Sequence, residues 1–401
     1  MVGAPSGPTS ASISSGVLFN DTAGRPLHAH GAGIVPPDSH PAGEGGKFYM
    51  VGTSRKLPPT WLSDGINLYS SYDLEAWSFE ATIFQAKQVA HVVAKGAPRV
   101  ERPKILYNGD PQARHRYVMW FHLDDAAFSL GFVGVATAKS ITGPYSFLAG
   151  WRPDGQRSLD MTVFIEPRAG ALNPARKYEP AAAWLARSVD NRYVGFSRLT
   201  ADMLNTTKEG IVSRGPRCEG VAPWLDSGAT PQPAWSMLCS HVTGWHANPA
   251  IFVRSESPSL ASANWSGARY PSYPYRVTPV WCFARLRRLF RSRTVLAAPL
   301  GNPTHSPVSC DSQSTYVLRH TYADGRTLTM YMGDRWNEGS ESAPGSVGGA
   351  SYVWLPMVRN ASDPTGWSMP RLHGQWNGTG RWRVADYLEP APHLPELPEA
   401  V

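Results

Sequence analysis

Glu219 is the carboxylate whose surroundings suggest chemistry. It sits in the stretch Arg217–Asn248, RCEGVAPWLDSGATPQPAWSMLCSHVTGWHAN, ahead of a short extended run at Trp235–Ser240 and a loop, HVTGWHANP. That loop mixes aromatic and polar groups. Trp245 can stack on the apolar face of a sugar ring, while Thr243 and Asn248 can bond hydroxyls. A lone glutamate beside such a loop has the makings of a carbohydrate-cleaving acid. The plain alternative is a surface ion pair, and the rest of the chain has to decide between them.

Those groups need a scaffold. The chain has 401 residues, enough for one large domain or two to three ordinary ones with a buried core. Aromatic residues make up 11%, including 15 Trp, against only 17% charged residues, and Gly (37) with Pro (36) makes turns frequent. Such a profile suits an all-β protein of many short strands. Short mixed aromatic and aliphatic runs separated by polar turns recur: Phe48–Gly52 with Ile66–Ser71 and Trp77–Glu80, and Tyr117–His122 with Phe132–Ala138 and Gly143–Phe147. Tyr193–Ser197, then Trp235–Ser240 with Ala250–Arg254, then Leu328–Gly333 with Tyr352–Met357 continue the pattern. With no long amphipathic period between them, they point to five degenerate units and an all-β, five-bladed β-propeller, with a β-sandwich as the structural alternative. Residues 155–192 read as irregular, a long loop or an expanded blade.

Within that frame, residues 1–25 are expected to be a flexible N-terminal arm, 26–385 the propeller, and 386–401 a C-terminal tail. The stretch 273–300 is a basic insertion, in which Trp281–Phe290 could form a short amphipathic helix. Arg276–Arg293 holds six Arg and no acid, so of the net +7 the remainder carries 7 − 6 = +1. A nucleic-acid groove is therefore not expected. Nor is a membrane span, since no run of eighteen apolar residues occurs. The chain is read as a monomer. Cys218, Cys239, Cys282 and Cys310 fit no zinc spacing; Cys218 and Cys239 flank the focal stretch and could be bridged, although pairing cannot be read from sequence. Sequons at Asn20, Asn205, Asn264, Asn360 and Asn377 favour the secretory route. The start, MVGAPSGPTSASISSG, is not a signal peptide, so a truncated start is expected.

Several segments in order resemble glycoside hydrolase family 43, most closely its exo-β-1,3-galactanase branch. They are HAHGAGIV (His28–Val35), YSSYDLEAWSFE (Tyr69–Glu80), ERPKILYN (Glu101–Asn108), YVMWFHLDD (Tyr117–Asp125), VGVATAKSITGPYSF (Val133–Phe147), SLDMTVF (Ser158–Phe164), TGWHANPA (Thr243–Ala250), DSQSTYVL (Asp311–Leu318) and YMGDRWN (Tyr331–Asn337). The resemblance implies a five-bladed propeller with its site at the axis and hydrolysis of an oligo- or polysaccharide without a cofactor. It implies that Glu219 is the general acid, although the branch's E-A-P motif reads E-G-V-A-P here. Asp160 resembles the aspartate that raises and orients the acid. Glu101 resembles a substrate-holding glutamate, and Gln313 the glutamine on the side of the attacking water, for which an imidic-acid tautomer has been invoked. Thr243, Trp245, Asp334, Arg335 and Trp336 are further candidate sugar contacts.

Two departures bear on specificity. Val51-Gly52-Thr53 stands where the branch has Tyr-Gly-Glu, and Phe196-Ser197-Arg198 where it has Ser-Ser-Glu. Two substrate-holding glutamates are thus expected to be lost, with a cation gained at Arg198. Losing them leaves open a non-catalytic glycan-binding propeller, or an arabinofuranosidase or xylosidase of the same family. His28 and His30 alternate as same-face strand residues would, but lack a third ligand at metal spacing. Asp124-Asp125 reads as solvated surface rather than a calcium loop.

Overall fold

Five sheets surround a common axis, each a meander of antiparallel strands. The computed structural model describes residues 11–41, 45–55, 62–93, 96–110, 112–166, 182–229, 233–245, 250–255, 257, 259–266, 312–336, 349–361, 366–369 and 380–390. After a leading strand β1 (Ser12–Ser15), blade one is β2 (His30–Val35), β3 (Phe48–Ser54), β4 (Gly65–Ser71) and β5 (Ser78–Gln85). Blade two is β6 (Arg99–Tyr107), β7 (Tyr117–Asp124), β8 (Phe132–Ala138) and β9 (Ser146–Trp151). Blade three is β10 (Ser158–Ile165), β11 (Ala183–Val189), β12 (Tyr193–Leu199) and β13 (Thr206–Arg214). Blade four is β14 (Glu219–Asp226), β15 (Ala234–Ser240), β16 (Ala250–Ser255) and β17 (Trp265–Ser266); blade five is β18 (Gln313–Thr321), β19 (Thr327–Arg335) and β20 (Ser351–Pro356). Two short pairs complete the described strands: β21 (Val358–Arg359) with β22 (Trp367–Ser368), and β1 with β23 (Gly380–Arg383). The chain is thus the all-β, five-bladed propeller that the recurring runs imply. The expected irregular stretch after residue 155 is corrected in part, since β10 and β11 are regular strands of blade three.

The first strand of each blade touches the first strands of its two neighbours, closing a ring around the axis. Apolar residues fill the wedges between blades. Val51, Ile66, Leu68, Met119 and Phe121 pack where blades one and two meet, and Trp184, Phe196, Trp235 and Met237 where three and four meet. With apolar side chains filling the wedges, the axis is left for polar ones.

Each ring strand bulges at the same level. The pairing registers slip between His30 and Gly33, Glu101 and Lys104, Ser158 and Met161, Glu219 and Ala222, and Ser314 and Tyr316. A bulge bends its strand and re-aims a side chain. Two of these positions need glycine. Gly31 (φ 62°) faces Arg102, whose Cα would lie 3.1 Å from an added Cβ, and Gly220 (φ 62°) faces the Ser314 carbonyl oxygen at 2.7 Å.

The start of the chain is not wholly a loose arm, because residues 11–25 contribute to the fold. β1 pairs with β23 in register Ser12–Arg383 to Ser15–Gly380, and Val17 bridges Tyr352 beside β20. Ala11 and Ile13 are buried in the core cluster that blades four, five and one share. At the other end, Glu389 pairs with Thr327 and meets Arg319 at 3.2 Å. The basic insertion at 273–300, Cys282 and Cys310 lie outside the described residues. Replacing Ile13 by Ala is expected to cost about 2–5 kcal/mol in denaturant unfolding; an unchanged midpoint would mean that the N-terminal strand does not dock.

Candidate active site

Where the five bulges meet, they line a cavity of about 370 Å³. Glu101, Asp160, Glu219 and Gln313 all line it, so the structure brings together residues spread over more than half the chain. Each sits at or beside the bulge of its own ring strand, which turns polar side chains inward where a regular strand would alternate them.

Glu219 opens β14 and is 7% exposed. Its Oε1 accepts from the Thr243 backbone N–H at 3.2 Å and from Gln313 Nε2 at 3.1 Å. Burial, and after it the charge of Asp160, push the carboxyl up to about 8 against the pull of Arg102. Near neutral pH it therefore carries a proton, as a general acid must. Asp160 lies on the bulge of β10, held by Arg102 Nε at 2.6 Å and by the Gly220 N–H at 2.8 Å. That second bond ties the aspartate to the residue next to Glu219, which fixes the relative placement of the two carboxyls. A disulfide joins Cys218 to Cys239, one residue before Glu219 and one before its cross-strand partner Ser240.

Gln313 is held on both ends. Its Oε1 accepts from Arg102 Nη2 at 2.6 Å and Trp336 Nε1 at 3.0 Å. Its Nε2 faces Glu219, Ser240 Oγ at 3.2 Å and the Gly244 carbonyl at 3.2 Å. Arginine and indole N–H only donate and a carbonyl only accepts, so the amide's orientation is determined. Glu101 is surrounded by cations: Arg55 Nη2 at 2.5 Å, and Arg99 Nη1 and His122 Nδ1 each at 3.5 Å. Burial works against its charge, but Arg55, His122 and Arg99 hold the carboxyl well below the usual range. Burial also opposes a charge on His122, yet bonds to Asp124 (3.1 Å) and Glu101 outweigh it and push the imidazole up to about 9.

The other expected contacts divide. Trp245 and Trp336 line the cavity with ring centroids 6.4 Å apart. Thr243 reaches the site through its backbone N–H to Glu219 and is not among the lining residues. Asp334 is 1% exposed and lies behind the wall, accepting from the Gly31 N–H at 2.7 Å with His30 Nδ1 at 3.6 Å. It is no direct sugar contact. Arg335 turns away and donates to the Gly16 carbonyl at 3.2 Å, so it is not one either. Asn248 lies outside the described residues. Thr53 does line the cavity, but the cation expected at Arg198 does not: Arg198 is exposed on β12, and the turn residues Asp190 and Asn191 stand at the cavity instead. Asp124 and Asp125 are buried, not solvated surface, because Asp124 braces His122 and Asp125 closes a turn on Ser129.

Arg55, Arg102, His122, Phe128 and Arg157 also line the cavity, and the sequence reading did not name them as site residues. Arg102 had a signal, since it follows Glu101 in E-R-P-K. Its left-handed backbone (φ 51°) is a bulge position that L residues seldom adopt. The others lie on strands or turns beyond the ring, and only the closing of the blades brings them in.

Comparison with solved structures agrees with the geometry. An exo-β-1,3-galactanase from Phanerochaete chrysosporium, solved with β-1,3-galactotriose, is 25% identical with a TM-score of 0.63, covering 90% of this chain and 67% of that one. An exo-β-1,3-galactanase from Clostridium thermocellum is 21% identical with a TM-score of 0.65, covering 93% of this chain and 66% of that one. Both share the ring of blades. The chain has the fold of the family 43 galactanases. A family 43 β-1,3-galactosidase solved with galactodeoxynojirimycin is 22% identical with a TM-score of 0.63, covering 90% of this chain and 99% of that one. This chain therefore spans about two thirds of the two galactanases and nearly all of the galactosidase. No family model matches the sequence, and no curated protein does.

The forced proton on Glu219 has a measurable consequence. Unfolded, the group ionises near 4.5; folded, it stays protonated to about 8. Its contribution is greatest below the unfolded value and is lost as pH rises towards 8. Glu219→Gln, which needs no proton, should raise the melting temperature relative to the parent, by a margin that grows from pH 4.5 to 8. A margin that stays constant would place the carboxyl in its ordinary range.

Proposed function

We propose that the chain is a glycoside hydrolase that releases galactose from the end of β-1,3-linked galactan with inversion at the anomeric carbon. The observation that carries this is the buried Glu219, its carboxyl pushed up to about 8 beside the Asp160–Arg102 pair in a cavity walled by Trp245 and Trp336. In this reading Glu219 protonates the departing glycosidic oxygen. Asp160 keeps that proton in place near neutral pH and, through the Gly220 N–H, aims the acid. Gln313 fixes the acid from the other side, and the indoles take the apolar face of the sugar. The likeness to the galactanase and galactosidase structures supports galactose as the sugar. Exposed sequon residues Asn20, Asn205 and Asn264 support a secreted protein, and no helix among the described residues is long and apolar enough to cross a membrane.

One observation favours a second reading, a glycan-binding propeller without turnover. Glu101, the expected sugar holder, is already engaged by Arg55, and Thr53, standing where the galactanase branch carries a glutamate, turns its hydroxyl to the Val100 carbonyl at 3.1 Å. A single assay separates the two. Purified protein incubated with β-1,3-galactan should release galactose, first as the α-anomer by NMR, and Glu219→Gln should abolish release. Binding without product would favour the lectin reading, and equal release by both forms would remove Glu219 from its role. Because the acid must be protonated, kcat/KM should fall as pH rises through about 8. Trp245→Ala should raise KM about tenfold with a smaller change in kcat; an unchanged KM would take that indole out of the sugar site.

A further inference from the structure

Inversion needs a group to take a proton from the attacking water, and the groups expected near that water have no capacity left. Gln313 Oε1 already accepts from Arg102 and Trp336, which uses both of its lone pairs. Its Nε2 can only donate. Glu101 is held ionised by Arg55, His122 and Arg99, and a carboxylate stabilised in that way is a weak base. Asp160 is committed to Arg102 and the Gly220 N–H.

Among the described residues of the cavity wall, His30 is uncommitted at both ring nitrogens. His30 is 1% exposed and lines the cavity, yet neither of its ring nitrogens has a hydrogen-bond partner among the described residues. Its ring is stacked on Tyr352, 5.5 Å between centroids and 10° between planes, and Trp336 lies 5.8 Å away. Asp334 Oδ1 stands 3.6 Å from Nδ1, and the Gly31 N–H steadies that carboxylate through Oδ2. A base and its orienting carboxylate are often this far apart before substrate fills a site. With Nδ1–H turned to Asp334, the imidazole keeps a lone pair on Nε2.

We infer that His30, oriented by Asp334, is the general base that accepts a proton from the attacking water; the inference rests on the hydrolase reading above. As the water oxygen bonds to the anomeric carbon, one of its protons passes to His30 Nε2. The bond from that carbon to the leaving oxygen breaks, its electron pair stays on the oxygen, and the oxygen takes the proton of Glu219. The site is left with cationic His30 and anionic Glu219. His30 then loses its proton to solvent and Glu219 regains one as the sugar leaves, so that no other reactant is needed. The bulge of β2 that turns Gly31 towards Asp334 is what brings His30 and Asp334 together.

The test uses an aryl β-galactoside, whose phenol leaves without help from the acid, and sodium azide, which attacks without help from a base. His30→Ala should lower kcat by 10²–10⁴, with KM within a few fold. Azide should restore turnover and yield α-galactosyl azide, identified by NMR, whereas Glu219→Gln should still hydrolyse the aryl substrate. Asp334→Asn should lower kcat when His30 is present and have no further effect in the His30→Ala background. Thermal melts check folding, and His30→Gln replaces the Ala variant should that one fail to fold. Undiminished turnover by a folded His30 variant overturns the inference, as does a folded, inactive one that azide does not restore. Formation of the azide product by Gln313→Ala or Glu101→Ala instead would move the base there. A parent protein that releases no galactose from either substrate overturns the hydrolase reading itself, and this inference with it.

Discussion

The buried guanidinium of Arg102 ties the site together. From the bulge of blade two it reaches Asp160 of blade three at 2.6 Å, and in blade five Gln313 Oε1 at 2.6 Å and the Ser314 carbonyl at 3.1 Å. Burial works against its charge, but the contact with Asp160 outweighs that and pushes the guanidinium above its usual range. Removing one partner of a buried pair strands the other charge, at a cost of about 3–5 kcal/mol. Glu219 depends on this contact twice. Arg102 positions Asp160, whose charge helps keep Glu219 protonated, and it positions Gln313, whose amide holds Glu219 in place.

That contact exists because five bulges coincide. Lys104, under the floor, donates to the Gly31 carbonyl at 2.9 Å and to the Arg102 carbonyl at 3.4 Å, satisfying backbone groups that the bulges take out of the ladders. Burial and the nearby Arg102 pull that ammonium down to about 7. The strain of Arg102's left-handed backbone is offset by the charge pair and carbonyl bonds its side chain makes. The propeller supplies the wedges of apolar packing, and the bulges turn what would be a plain axial channel into a place for chemistry.

This division explains what could be read from sequence. The second and third strands of the blades alternate cleanly or run apolar, as in YVMWFH and LTMYMG, and those are the runs the periodicity picks out. The ring strands HGAGIV, RVERPKILY, SLDMTVFI and EGVAPWLD do not alternate at their inner ends, because bulge residues and site carboxylates stand where apolar ones would. Periodicity passed over those strands; motif resemblance recovered their residues. Glu219, Asp160, Glu101 and Gln313 were legible because each lies in a short local motif. Arg55 and His122 were not, since nothing local marks them and only tertiary closure brings them to Glu101. Arg198 misled for a related reason. A strand motif was matched by local similarity, while the cavity is met by the preceding turn at Asp190 and Asn191.

The central claim is that the fold forces a proton onto Glu219 at neutral pH, and the carboxyl itself can be observed. Infrared difference spectra of the parent protein minus Glu219→Gln, taken from pH 5 to 10, isolate the stretch of a single protonated carboxylic acid. The band should persist at pH 7 and disappear with a midpoint near 8. A band already lost by pH 6 would contradict the account, because Glu219 would then be a carboxylate with no proton to give.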